Sequence, residues 1–513
     1  MHRTTAQPYI LGILIISLLL GSCTADFEEI NRSQTGLTAD RFDEDLLFTR
    51  SLVYGALRYT EYQRAQQLYA QHYIQYYSVS VPYFPTGRYI TRNDWLTAYW
   101  REAYADFGMQ TQQVIELTEG NPLKSNKNSI AKIWKVFILH RLTDFWGDVP
   151  YFEAFQGDVT PAYTPQAEIY EDMLRVLQEE AEQLATPSTE SFGDADVVYQ
   201  GDREAWIRLA NSLRLRLAMR LSEVNAALAQ QLVAEVLTAD NLIADNSESA
   251  VMPYGQDFGN ATENIQPMSV LRNFNEYRVS NTLVDFLQEN NDPRLPIFVE
   301  PNEEGNYVGL PNGLNPEQLN ALNLADFSRD TDIIANRAAP TGLLIYPEVL
   351  FLKAEAALRG WGPGSAQEYY EDGVRASINY WNNSYLDLEN SLPAEEADAL
   401  PTITLTDSTT TAYLAQPTVA YDPASGLEQI ITQKWVALLN QGFESYAEYR
   451  RTGFPTLNPI PNTNGESETG GAIVPVRVPY PAEEQTLNRI EYNAAVSRQG
   501  PDLPTTRVWW DVQ

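Results

Sequence analysis

The stretch that decides the fold runs from Tyr346 to Trp381 and reads YPEVLFLKAEAALRGWGPGSAQEYYEDGVRASINYW. Pro347 indicates the first turn of a helix, because proline already has a helical φ and needs no N–H donor there. The helix is predicted to end near Arg359-Gly360, and the Gly362-Pro363-Gly364 segment then turns the chain. Ser365 and Glu368 match a capping box that starts a second helix. Its apolar stripe comprises Tyr370, Val374, Ile378 and Trp381. The sequence therefore predicts two antiparallel helices joined by a short turn.

Further helical pairs follow the same pattern elsewhere in the chain. Trp95 to Leu117 is predicted to pair with Ser129 to Phe145, and Gln166 to Leu184 with Arg203 to Leu221. Paired helices of this length, with alanines where the backbones meet, resemble tetratricopeptide-type repeats. No strict period of about 34 residues survives, so the repeats are degenerate. Sustained strand alternation is almost absent, which indicates a mainly α fold.

The helix that begins near Arg203 illustrates the predicted division into faces. Asp202 is its predicted N-cap, and its apolar stripe comprises Trp206, Leu209, Leu213 and Leu217. Its polar faces are predicted to consist of arginines, namely Arg203, Arg208, Arg214, Arg216 and Arg220. Such a helix has one apolar stripe to bury against a partner.

Long insertions rich in Asn, Pro, Gly and Thr interrupt the helices. They run from Asp245 to Gln266, Glu300 to Asn336, Asn382 to Pro423 and Gly453 to Pro481. Loops this long within a compact domain are usually functional or mobile. We therefore expect ligand contacts on these loops.

The beginning of the chain has the layout of a secretory signal. His2 and Arg3 precede an apolar run from Ile10 to Leu20, which is too short to span a bilayer. Leu20-Gly21-Ser22-Cys23 resembles a bacterial lipobox, in which the signal is cut before an acylated cysteine; an ordinary signal peptide with a chance cysteine is the alternative. The prediction is a lipoprotein signal peptide at residues 1–22 and a solute-binding body at 23–513, with Cys23 as the lipidation site.

The composition limits the kinds of partner that the protein can bind. The chain has 35 basic and 68 acidic residues, a net charge of −33, which argues against binding to nucleic acid or to anionic lipid through a basic patch. Hydrophobic residues make up 44% of the chain, so a packed globular protein is predicted. Cys23 is the only cysteine, so the body has no internal disulfide and depends on its core for stability.

Catalysis finds little support in the sequence. Only three histidines occur, at positions 2, 72 and 140, so few residues are available for a metal site or a histidine-based triad. No glycine-rich phosphate loop or zinc protease motif is found. Asp144 and Asp148 are interpreted as residues that hydrogen-bond a turn; an acid and base pair is the alternative. We predict no catalytic residue, no metal site and no cofactor.

Aromatic residues are the more informative feature. The segment from Tyr69 to Trp100 combines helical aromatics, namely Tyr69, Tyr73, Tyr76, Trp95 and Tyr99, with the loop aromatics Tyr83, Phe84 and Tyr89. The helical members are predicted to be core residues. The loop members are either core or ligand contacts, because aromatic side chains on loops are harder to bury. Sugar rings stack on such side chains while placed polar groups bind the hydroxyls.

Several motifs in order along the chain resemble the SusD/RagB family of outer-membrane nutrient-binding lipoproteins, in particular its SusD-like branch. They lie at Cys23–Asn31, Asp144–Tyr151, Tyr346–Ala356, Gln433–Trp435 with Glu448–Pro455, and Val476–Pro481 followed by Glu484 and Asn488. The matches cover nearly all of the predicted body. The motifs themselves resemble fold determinants of the family, with Glu348 to Ala356 as helix packing and Arg450-Arg451 before Gly453 as a helix end.

The resemblance implies about four tetratricopeptide-like hairpins that carry a loop-rich irregular second region. It also implies a lid on a SusC-like TonB-dependent transporter, which captures a glycan or, in some members, a peptide. Asp26, Glu28 and Glu29 resemble the signal that sends such lipoproteins to the cell surface in Bacteroidetes. Ligand contacts vary in place within the family, so no contact residue is carried over from it.

We therefore expect a surface-exposed outer-membrane lipoprotein that binds a glycan in preference to a peptide. The candidate contacts are Tyr83, Phe84, Arg88 and Tyr89 from the first loop and Tyr254, Phe258 and Asn260 from the second. Three alternatives stay open: a peptide-binding lid of such a transporter, an envelope glycoside hydrolase, and a pure protein-interaction scaffold built of stacked hairpins.

Overall fold

A computed structural model describes residues 43–512, apart from residues 187–188, 256–264, 393, 398–399, 462–464 and 472. Residues from Asp45 onward form one compact unit. The predicted signal peptide at 1–22, Cys23, Phe258 and Asn260 lie outside the described residues. The division into a signal peptide and a body at 23–513 therefore stays a prediction.

Helices dominate the described residues, as predicted. Those of eight residues or more are α1 Glu44–Gly55, α2 Asn93–Glu102, α3 Met109–Thr118, α4 Ser125–Trp146, α5 Gln166–Leu184, α6 Arg203–Arg220, α7 Ala226–Ala239, α8 Pro267–Phe274, α9 Asn281–Glu289, α10 Tyr346–Leu358, α11 Ala366–Ser391, α12 Asp407–Leu414, α13 Gly426–Ala437, α14 Gly442–Thr452 and α15 Arg489–Gln499. None of these helices is both long and apolar enough to cross a membrane.

Shorter helical segments connect them. The α-helical turns are Tyr59–Glu61, Leu295–Phe298, Pro316–Asn320, Asp332–Ala335, Ala394–Ala397 and Glu484–Leu487. The 3-10 turns are Pro85–Arg88, Pro122–Lys124, Gly193–Ala195, Asn246–Glu248 and Leu324–Asp326. Two stretches, Tyr62–Gln71 and Ala103–Gly108, are π-helical.

The helices pack as antiparallel neighbours, which confirms the mainly α fold with tetratricopeptide-like hairpins. Helix α3 packs on α4, α5 on α6, α10 on α11, and α13 on α14. In the α10–α11 hairpin, the hydroxyl of Ser365 accepts a hydrogen bond from the backbone N–H of Glu368, as the capping motif predicts. A Cβ at Gly373 would lie 2.8 Å from the Phe351 ring, so the two helices approach closely at that glycine.

The structure corrects one predicted loop. Helix α11 continues ten residues beyond Trp381 to Ser391, and α12 occupies Asp407–Leu414, so much of the expected insertion from Asn382 to Pro423 is helical. Tyr385 and Leu388 explain the extension, because both continue the buried stripe of α11. The loop was predicted from the Asn, Pro, Gly and Thr content of the whole segment, which outweighed this continuation of the stripe.

Within the described residues, eight short strands pair in twos, all antiparallel. They are β1 Tyr77–Val79 with β5 Tyr277–Val279, β2 Val149–Pro150 with β3 Tyr163–Thr164, β4 Ala250–Met252 with β8 Thr341–Leu344, and β6 Val299–Glu300 with β7 Arg329–Asp330. The first pair positions the candidate site. It aligns Val79 with Tyr277, and so brings the loop after β1 beside the turn between α8 and β5.

A buried network of ion pairs connects α6, α10 and α14. Arg216 donates to both oxygens of Glu348, each at 2.7 Å, and Arg220 donates to Glu444 at 2.7 Å. All four side chains are buried, so the prediction that Arg216 and Arg220 supply a polar surface is wrong. These arginines are in the interior because carboxylates from other helices meet them there.

The motif residues at Tyr346–Ala356, Gln433–Trp435 and Glu448–Pro455 complete this network. Arg451 donates to both oxygens of Glu355 and also to Glu448. Lys434 lies 3.2 Å from a Glu448 oxygen. Gly453 follows with φ +78°, a left-handed backbone conformation that favours glycine at a helix end. The charged residues of these three motifs that form the network thus lie inside the core.

Candidate functional site

The loop from Ser80 to Arg92 carries four of the predicted contact residues, and Tyr83 is the most accessible of them. Its side chain is 56% exposed. Phe84 is half-buried and packs edge-on against Tyr83, with ring centroids 4.8 Å apart. Trp95, at the start of α2, packs edge-on against Phe84 at 5.4 Å. Trp95 is half-buried, so the prediction that it is core holds only in part.

A carboxylate fixes the orientation of Tyr83. The Tyr83 hydroxyl donates a 2.6 Å hydrogen bond to Glu276 Oε1, and Gln63 Nε2 donates to the other carboxylate oxygen at 3.0 Å. Burial of its hydroxyl and the hydrogen bond to Glu276 raise the pKa of Tyr83 to about 12. Tyr83 therefore keeps its proton at neutral pH and acts as the donor in this pair.

A second exposed ring lies two residues before Glu276. Phe274 ends α8 and is 49% exposed, and Tyr59 packs edge-on against it with centroids 6.5 Å apart. We call Tyr59, Tyr83, Phe84, Trp95 and Phe274 the aromatic surface. It is bordered by Glu276 and Gln63, so apolar ring faces lie next to hydrogen-bonding groups, the composition of a binding site.

Sequence reasoning missed part of this surface, namely Tyr59, Phe274 and Glu276. The available signal was the Phe274-Asn275-Glu276 segment, in which Asn275 adopts a left-handed conformation with φ +58° and ends the helix. An aromatic residue at such a turn has little helix face to pack against. Its proximity to Tyr83 depends on the pairing of β1 with β5, which local patterns do not reveal.

Arg88 is engaged within the protein. Its Nη1 donates a 2.7 Å hydrogen bond to Glu466 Oε2. Two residues further on, Glu468 accepts hydrogen bonds from the backbone N–H and the hydroxyl of Thr91, and its own N–H donates to the Tyr89 carbonyl. The segment around Glu466 and Glu468 thus holds the loop that carries Tyr83.

One predicted contact proves inaccessible, and another is partly buried. Tyr89 is only 2% exposed and packs edge-on against Tyr73 at 5.5 Å, so the expectation that its ring faces a ligand is corrected. Tyr254 is half-buried, and its buried hydroxyl has no hydrogen-bond partner in the described part of the chain. Burial raises the pKa of Tyr254 to about 12. Phe258 and Asn260 lie outside the described residues, so their role stays a prediction.

The carboxylates considered for catalysis are occupied by structural contacts. Asp144 accepts hydrogen bonds from Trp510 Nε1 at 2.8 Å and from the Tyr170 hydroxyl. Asp148 accepts from the Gln166 backbone N–H and from Arg498 Nε. Both carboxylates thus have structural partners, but these partners lie in distant segments and not in the turn after α4, as the turn interpretation expected. Among the described residues, no group of three or more His, Cys, Asp or Glu side chains is arranged to hold a metal ion.

A wider groove lies elsewhere, between α3, α4 and α5. It has two adjoining parts of about 460 and 320 Å³ that share Lys132, Glu179 and Glu180. Lys132 and Glu180 form a 2.8 Å ion pair there, and Arg175 pairs with Glu179. Phe152, 50% exposed, borders the smaller part. Volume alone favours this groove as a ligand site, whereas the exposed rings of Tyr83 and Phe274 favour the aromatic surface.

Comparison with known proteins identifies the family. The SusD-like family profile, described as "Starch-binding associating with outer membrane", matches residues 43–481. The chain belongs to the SusD-like family. No curated protein matches the chain.

Solved structures of SusD-like proteins share the whole architecture. A chitin-binding protein is 32% identical with a TM-score of 0.78, over 92% of this chain and 100% of that one. A chitin-binding SusD homologue from Flavobacterium johnsoniae is 26% identical with a TM-score of 0.76, over 91% and 98% of the two chains. A SusD homologue from Bacteroides uniformis is also 26% identical with a TM-score of 0.76, over 92% and 100%.

In this SusD-like chain, the motif residues serve the core. Trp435 stacks on Tyr76 with centroids 5.3 Å apart, and Arg477 pairs with Asp502. Glu348 and Arg451 are part of the buried ion network. The aromatic surface uses residues outside these motifs. The motif residues therefore support the SusD-like fold from within the core.

Proposed function

We propose that the protein is a lipoprotein of the outer membrane that binds a glycan at the aromatic surface. The observation that carries this proposal is the hydrogen bond from the exposed Tyr83 to Glu276, which follows the exposed Phe274 by two residues. The rings offer apolar faces to the C–H groups of a sugar, and Glu276 and Gln63 offer an acceptor and an amide for its hydroxyl or amide groups.

Chitin oligosaccharides are the proposed ligand class to test first. The 32% identical protein is described as chitin-binding, and so is the homologue from Flavobacterium johnsoniae. The N-acetyl group of chitin has an N–H donor and an apolar methyl group, which match the Glu276 carboxylate and the neighbouring rings. A peptide is the alternative ligand, since its amide groups would use the same acceptor.

The proposed role in uptake is to capture the glycan at the cell surface and pass it to a SusC-like TonB-dependent transporter. Cys23 would carry the acyl anchor, and Asp26, Glu28 and Glu29 would direct the protein to the outer face. We propose binding without catalysis, because Asp144 and Asp148 are committed to hydrogen bonds within the fold. The absence of new reducing ends after incubation with a bound glycan would count against a glycoside hydrolase.

Calorimetric titration of residues 24–513 tests the ligand class. The panel comprises chitin oligosaccharides, starch-derived oligosaccharides, other soluble glycans and peptide digests. Saturable heat with one glycan class is the expected result. Binding to peptides alone would replace the glycan proposal with the peptide-binding alternative, and no binding to any soluble ligand would favour the scaffold alternative.

A further inference from the structure

Arg141 in α4 is a buried cation without a countercharge. Its Nη1 donates a 3.2 Å hydrogen bond to the Gly55 carbonyl, and its guanidinium lies 4.1 Å from the centroid of the Phe137 ring. Within the described ranges, no carboxylate lies within 4.0 Å of it, whereas Arg216 and Arg451 are both paired with buried glutamates. A buried charge is normally paired, because removing it from water is costly.

A small polar cavity lies next to this arginine. It has a volume of about 30 Å³, and its lining includes His140, Arg141, Thr341 and Gln441. In the described part of the chain, His140 Nδ1, Thr341 Oγ1 and Gln441 Oε1 have no hydrogen-bond partner. The Gln441 amide can present its nitrogen instead of its oxygen by turning over. Unpartnered buried polar atoms around a cavity of more than about 15 Å³ indicate a bound molecule or ion.

The charges around the cavity favour an anion. Burial, followed by the charges of Arg216, Arg141 and Arg220, holds the pKa of His140 well below its usual value. His140 is therefore neutral and keeps one N–H donor. Glu444 also borders the cavity, but its carboxylate lies 2.7 Å from Arg220 and 3.5 Å from Lys434, so other cations already compensate it. The charge of Arg141 therefore remains without a compensating carboxylate.

We propose that this cavity binds one monovalent inorganic anion of chloride size. The Arg141 guanidinium supplies the countercharge, and the His140 imidazole, the Thr341 hydroxyl and the Gln441 amide supply the remaining donors. The anion connects three elements that are distant in sequence, namely α4, β8 and the turn before α14. Halide binding therefore stabilises the folded protein through mass action.

Crystals of residues 24–513 grown in sodium bromide test the site directly, because bromide replaces chloride and scatters anomalously. The expected result is an anomalous peak within hydrogen-bonding distance of the Arg141 guanidinium. A cavity that contains only water-sized density, with no anomalous signal, overturns the proposal.

Thermal unfolding provides the matched test in solution. Sodium chloride at about 300 mM should raise the Tm of the wild type above its value in sodium gluconate of equal concentration, since gluconate is too large for the cavity. R50Q, which changes an exposed arginine paired with Asp106, should keep this difference, and R141Q should lose it. If R141Q does not fold, T341V should raise the chloride concentration for half-saturation about fivefold, the effect of one lost hydrogen bond. Equal Tm values of the wild type in both salts contradict the proposal.

Discussion

Arg451 donates two hydrogen bonds to Glu355, from Nη1 to Oε1 at 2.7 Å and from Nη2 to Oε2 at 2.6 Å, across 96 positions of sequence. Both side chains are buried. Burial alone would raise the pKa of Glu355, but the Arg451 charge more than offsets it, so the pKa of Glu355 is lowered. The pair joins α10 to α14, which are the helices that carry two of the family motifs.

We expect R451M to destabilise the protein by about 3–5 kcal/mol, because it leaves Glu355 and Glu448 buried without this partner. R359M is the matched control. Arg359 also contacts Glu355, at 2.9 Å, but is partly exposed, so its loss should cost about 1 kcal/mol or less. Urea unfolding measures both variants. Similar free energies of unfolding for the two would refute the structural role of the buried pair.

The Tyr83–Glu276 hydrogen bond should orient the Tyr83 ring for its ligand. Y83F keeps the ring and removes the hydroxyl, so we expect glycan affinity to fall by about 0.5–1.5 kcal/mol while the fold is unchanged. E276Q should weaken binding further, because its amide keeps one acceptor oxygen for Tyr83 but replaces the other carboxylate oxygen by an NH₂ donor, which cannot accept from the sugar. Calorimetric titration measures both. An unchanged affinity in E276Q would remove Glu276 from the site.

The raised pKa of Asp330 predicts that the stability of the protein depends on pH. Burial raises its pKa to about 6, although the charge of Arg272 opposes the change. The folded protein binds the Asp330 proton more tightly than the unfolded chain does. Protonation of Asp330 therefore stabilises the folded protein, and this contribution is complete below about pH 4. It is lost as the pH rises through 6.

D330N isolates that contribution. Between pH 5 and pH 7, the free energy of unfolding of the wild type should fall by about 1 kcal/mol more than that of the variant. Tyr277 donates to Asp330 at 2.8 Å, and an asparagine oxygen can accept the same hydrogen bond. Urea unfolding at three pH values gives the comparison. Parallel pH profiles for the two proteins would show that Asp330 has an ordinary pKa.

The anchor gives a prediction that does not depend on the ligand. C23A should leave the protein unacylated and largely released from membranes, because the acyl chains that we propose on Cys23 would supply the membrane affinity. Fractionation of cells that express the full-length protein, followed by immunoblotting, measures the membrane-bound share. Full membrane association of the variant would contradict lipidation at Cys23.

The sequence revealed the helices more fully than the site. Local patterns such as Pro347 and Ser365 fix helix ends, and the structure has those ends where they were expected. Arg216 and Arg220 were misjudged because burial of a charge depends on partners such as Glu348 and Glu444, which come from distant helices. Sequence spacing on one helix contains no information about such partners.

The same limit applies to the aromatic loop. Tyr83 and Tyr89 are six residues apart, yet one is 56% exposed and the other 2%. Tyr89 is buried because Tyr73 packs against its ring, and Tyr83 faces outward because Glu276 holds its hydroxyl. Glu276 is 193 positions away from Tyr83. The site can therefore be recognised only once the pairing of β1 with β5 is known.

The central claim is that a glycan binds at the aromatic surface, and titration of the Y83A/F274A double variant with a soluble chitin hexasaccharide tests it most directly. F152A is the matched control, since Phe152 is a similarly exposed phenylalanine in the groove between α3, α4 and α5. We predict that the wild type and F152A bind equally and that the double variant loses at least about 2 kcal/mol, or roughly thirtyfold in affinity. Wild-type affinity in the double variant, or loss of binding in F152A, would contradict this account.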